Sequence, residues 1–107
     1  MKFIDHPMKL EDVEKFIELA RKHDVSPVAR SKGQFIDQLR EAGEVSKLTD
    51  AWKKKRDLFL RRSVPAYEQN PTHRRWISLV MWAYYIKPKH NIPEPDVEFM
   101  EKMTSKL

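Results

Sequence analysis

The chain has 107 residues, with 21 Lys/Arg against 16 Asp/Glu for a net charge of +5, and it contains no cysteine. That length predicts one domain, 1–107, built on one core. The absence of thiols excludes disulfides and cysteine-held zinc or iron–sulfur centres, and it suits a reducing cytoplasm.

Two glycines and seven prolines, the latter bracketing apolar segments, predict an all-α fold and not a hairpin-rich β protein. The longest apolar stretch, Trp76–Ile86, is too short to cross a bilayer, and residues 1–10 lack the apolar core of a secretory signal. The expectation is a soluble cytoplasmic protein with no membrane partner.

Residues 1–8 have no helical period and read as an extended N-terminal arm, with Phe3 and Ile4 packing on the domain. A first helix is predicted over about Leu10–His23, where Leu10, Val13, Phe16, Ile17 and Ala20 share a face. Glu11–Lys15 and Glu18–Lys22 are i,i+4 pairs on the other face, and the charges suit the helix dipole. A second helix starts either at Ser26-Pro27 or after Ser31, where Ser31-Lys32-Gly33-Gln34 has the form of a capping box. Phe35, Ile36, Leu39 and Ala42 are its apolar face, and Gly43 its stop.

The third helix is predicted over about Glu44–Arg62, with Val45, Leu48, Ala51, Trp52, Leu58, Phe59 and Leu60 on one arc and Pro65 as terminator. Ser63–Asn70 reads as a connector. The fourth helix is predicted over Pro71–Ile86, with Asn70 as N-cap and Pro71 at the first helical position. Its apolar residues surround the axis, so it is expected to be the buried central helix. A fifth helix begins near Pro93–Asp96. The expectation is a compact domain of about five helices around 71–86.

Charge is concentrated in the middle. Residues 47–90 carry eleven Lys/Arg and three Asp/Glu, an excess of eight, together with every Trp and Tyr. Residues 1–46 carry eight basic and nine acidic side chains, and 91–107 two and four. Cations interleaved with aromatics suit a polyanion-binding surface. At about 100° per residue, Lys53, Lys54 and Arg61 fall outside the third helix's apolar arc, while Lys55 and Arg56 fall inside it beside Trp52. Arg74 and Arg75 follow the start of the fourth helix, where free backbone N–H groups favour anions.

Two binding functions follow. In the first, Lys53, Lys54, Arg61, Arg62, Arg74 and Arg75 contact nucleic-acid phosphates. In the alternative, the chain is an interaction module, a regulator or adaptor or a homodimer, whose interface includes Trp52, Lys55 and Arg56 and meets an acidic protein. The ordinary reading of the same charges is a solvated face, with Lys55 and Arg56 paired to Asp or Glu of the first or fifth helix. A metal-free nuclease using His73 and Glu68 is a distant third. A helix-turn-helix across Phe35–Phe59, with its second helix starting at Val45, places Lys47, Lys53 and Lys54 outward but sets Asp50 against phosphate. The chain has no metal-ligand spacing, no glycine-rich phosphate loop and no cofactor motif, so no cofactor, metal or catalytic residue is expected.

Overall fold

The computed structural model describes residues 5–22 and 24–86. Within them lie five α-helices, one short 3-10 helix and no strand, in a body of 34 × 28 × 27 Å. The all-α expectation holds. Residues 1–4, His23 and 87–107 are outside the described set, and with them the helix predicted near Pro93–Asp96.

The first predicted helix is divided into α1, Leu10–Lys15, and α2, Ile17–Lys22. At the joint, the Phe16 N–H bonds the Val13 carbonyl at 3.0 Å, a tightened turn, and the ladder resumes from the Phe16 carbonyl to the Ala20 N–H at 2.9 Å. The Phe16 ring lies edge-on to Trp76, with centroids 5.4 Å apart. Asp24, at φ 54°, ends α2 by taking the left-handed conformation.

Neither predicted start of the second helix holds. Residues 27–31 form hydrogen-bonded turns, and α3 runs Phe35–Ala42 with Gln34 as N-cap. The capping partner comes from the other side, because Asp37 Oδ2 accepts the Gly33 N–H at 2.7 Å. That bond is the first cause of the lowered pKa of Asp37, with Arg40 adding to it. Gly43, at φ 90°, stops the helix as expected.

The third helix differs most. Val45–Lys47 is a separate 3-10 helix, and α4 runs Asp50–Gln69. Thr49 is its cap, its Oγ1 accepting the Trp52 N–H at 3.3 Å. The interval between α3 and α4 is therefore too long for the tight turn of a helix-turn-helix, and Val45 does not begin the second helix. Pro65 lies inside α4 and does not terminate it, so Ser63–Gln69 is helix and not connector. Pro65 is nearly opposite the buried stripe of Arg56, Leu60, Val64 and Tyr67, so the Arg61 carbonyl that loses its donor is on the outer side of the helix.

The central helix, α5, is shorter than predicted, His73–Met81. Thr72 is its cap, accepting the Arg75 N–H at 3.1 Å, while Asn70 caps the end of α4. Trp76, Ile77, Leu79, Val80 and Met81 are buried, and α5 packs on α4 and α2. Helix is abandoned at Ala83, at φ 59°. Residues 83–85 then run antiparallel to 6–8: Met8 N–H bonds the Ala83 carbonyl at 2.8 Å and Tyr85 N–H the His6 carbonyl at 3.0 Å. The indole N–H of Trp76 donates to the Ile86 carbonyl at 2.9 Å. An unbroken apolar run looks the same to a periodicity reading whether it is coiled or extended.

Candidate interaction surface

Helix α4 spans about 30 Å at 1.5 Å per residue, and it presents two unlike faces. Buried Arg56, Leu60, Val64 and Tyr67 define one side. On the other lies Leu58, expected in the apolar arc but 56% exposed. Around it, at i−4, i−3, i+3 and i+4, stand Lys54, Lys55, Arg61 and Arg62, all exposed. Those are the spacings at which helix side chains are neighbours. The result is an apolar knob inside a ring of four cations.

The four are not equivalent. Arg61 Nε bonds Asp57 Oδ2 at 2.8 Å, an exposed pair that lowers its charge without holding much. Lys55 Nζ stands 4.3 Å from the centre of the half-buried Trp52 ring, a cation–π contact that orients it. Lys54 and Arg62 have no acid partner among the described residues.

Arg56 does not lie on the exposed face with Lys55 and Trp52. It is 5% exposed, and each nitrogen of its guanidinium is bonded inside the protein. Nη1 and Nη2 grip the two Asp5 carboxylate oxygens at 2.8 and 2.9 Å. Nε donates to the Trp82 carbonyl at 2.8 Å, and Nη2 also to that of Ala83 at 3.0 Å. The partner is thus an acid of the N-terminal segment, not of a helix, and the charge stitches that segment to the end of α5. Tyr84 lies at the same seam. Burial, and then the Asp5 and Glu68 carboxylates, push its phenol above the ordinary value of 10.0, against the opposing pull of Arg56.

The remaining cations do not join the ring. Lys53 is exposed, but on the helix wheel it is about 140° from Leu58. Arg74 and Arg75 follow the far end of α4, about 22 Å of helix beyond Lys54, and Arg75 Nη1 bonds the Asn70 carbonyl at 3.0 Å. Among the described residues, the Trp and Tyr side chains of α5, of the stretch after it and of the end of α4 offer no exposed stacking platform. Trp76, Tyr67, Tyr84 and Tyr85 are buried, and Trp82 is sandwiched between Phe59 and Phe35, at 4.7 and 4.8 Å.

Beside the ring, a cleft of about 220 Å³ opens between the 25–29 turn and the α4 and α5 helices. Arg62 lines it as well as the α4 face, and so do Phe59, Trp82 and Val28, the last 54% exposed. Val28 stands alone as an apolar residue in a turn, with no helical period to single it out. Leu58 carried a clearer signal, since its four nearest helical neighbours are all Lys or Arg. Among the described residues no His, Asp or Glu cluster of metal-binding size occurs, and no helix is long and apolar enough to cross a membrane.

No protein-family model matches the chain, and neither a curated protein nor a solved structure matches it.

Proposed function

We propose that this chain is a non-enzymatic binding protein whose recognition surface is the outer face of α4, and that its partner is an acidic protein segment. The observation that carries this reading is Leu58, exposed at the centre of Lys54, Lys55, Arg61 and Arg62. A phosphate backbone gains nothing from a leucine, whereas an amphipathic acidic helix covers the apolar centre and pairs with the rim. Homodimerisation through this face is disfavoured, because a two-fold pairing sets cations against cations. The cysteine-free composition is in keeping with action in a reducing compartment such as the cytoplasm.

A second reading, binding to nucleic-acid phosphates, is favoured by the excess of eight positive charges over residues 47–90 and by the exposure of Lys53, Arg74 and Arg75. Leu58→Ser separates the two. It weakens binding of a labelled Glu-rich helical peptide while leaving binding of a labelled oligonucleotide unchanged. Lys54→Glu with Arg62→Glu weakens both. Oligonucleotide binding with a steep salt slope, and no peptide binding, makes the phosphate reading the correct one.

A further inference from the structure

We infer that the cleft beside Arg62 is an anchor pocket, which takes one leucine- or phenylalanine-sized side chain from an acidic helical segment of the partner protein. The inference rests on the proposed role of the α4 face and specifies how that face selects its partner.

Size is the first argument. At about 220 Å³ the cleft is smaller than the roughly 300–1,000 Å³ of small-molecule sites, and larger than the ~150 Å³ cavity that admits a benzene ring. One apolar side chain fits; a whole metabolite does not. The second argument is rigidity. Trp82 forms one wall and is held by rings on both sides, so the pocket exists before anything enters it. The third is charge. Arg62 is the one charged residue of the lining, and it stands one helical turn from Leu58. An apolar anchor entering between Val28 and Phe59 therefore passes a cation, and a carboxylate one turn away on the same segment pairs with it. A basic or neutral segment has no such pairing, and a second copy of this chain brings Lys and Arg to the same place.

The test uses two synthetic Glu-rich helical peptides, identical except for Phe or Ala at one central position, and follows binding by anisotropy. The Phe peptide binds the protein about tenfold more tightly or better, the increment of burying one large apolar side chain. Val28→Asn, an exposed and uncharged change, erases that preference while leaving the Ala peptide unaffected, which is the non-additivity expected of a direct contact. Equal binding of both peptides, with sensitivity to Leu58→Ser retained, overturns the pocket and leaves the α4 surface standing. Failure of both peptides to bind overturns the surface and the pocket together. The comparison of peptides on the unaltered protein decides the matter even where a variant folds poorly.

Discussion

Replacing Arg56 with Met tests the internal architecture most directly. The change keeps an unbranched apolar stem and removes four hydrogen bonds, two to the Asp5 carboxylate and two to the carbonyls of Trp82 and Ala83. The Asp5 side chain is 42% exposed, so it rehydrates when released, and its share is about 1 kcal/mol after screening. The carbonyls behave differently. That of Ala83 keeps the Met8 N–H, while that of Trp82 loses the Arg56 Nε–H. Losing charge-assisted bonds at a buried site costs about 1.5–3 kcal/mol. Together these give a loss of about 3 kcal/mol, a large part of the roughly 5–15 kcal/mol expected for a domain of this size. Urea denaturation followed by far-UV circular dichroism measures it as a lower midpoint with an unchanged slope. Arg56→Lys, which keeps the charge without the fork, recovers only part. A loss below about 1 kcal/mol for Arg56→Met refutes the reasoning.

Trp76→Ala, which empties the centre of the core, is expected to cost about 3–5 kcal/mol in the same assay, and a cost below 1 kcal/mol would remove α5 from the centre of the fold. Pro65→Ala restores the Arg61 carbonyl's partner and is expected to raise stability by about 1 kcal/mol; a drop would mean that the proline is needed where it stands. Because the Tyr84 phenol is raised above 10.0 in the folded state, its contribution is complete below that pH and fades as pH climbs through the folded value. Thermal melts therefore decline more steeply on the alkaline side for the parent protein than for Tyr84→Phe, and identical declines contradict the shift. Leu58→Ser, at an exposed position, leaves the unfolding free energy within about 0.5 kcal/mol of the parent, which calorimetry checks before the variant is used for binding.

The helical class was legible because the apolar spacing in segments such as Val13–Ala20 and Phe35–Ala42 states it directly, and burial follows that spacing. Ends were harder to read, since capping residues compete. Asn70-Pro71 has the form of a helix start, yet Asn70 closes α4 and Thr72, two residues on, takes the cap. Pro65 looked like a terminator because local chemistry disfavours it in a helix; the buried residues Leu60, Val64 and Tyr67 on the opposite side hold the helix through it. Arg56 could be placed within the apolar arc from sequence, but its carboxylate partner lies fifty-one positions away and no local rule points to it. On the candidate surface, Lys53, Lys54 and Arg61 are exposed as the wheel placed them, whereas Lys55 and Leu58, placed inward, are exposed as well. Half a turn of helix separates inward from outward, and the broad arc drawn through seven residues concealed it.

The seam between residues 6–8 and 83–85 also sets an order of events. Met8 and His6 find their backbone partners only in residues 83–85, so this closure is among the most sequence-distant in the molecule. During synthesis, the early segments leave the ribosome long before those partners exist. The Met8 N–H and the two Arg56 bonds to Trp82 and Ala83 therefore stay with water on the nascent chain until the stretch after α5 emerges, so this seam can close only once nearly all of the described chain has been made.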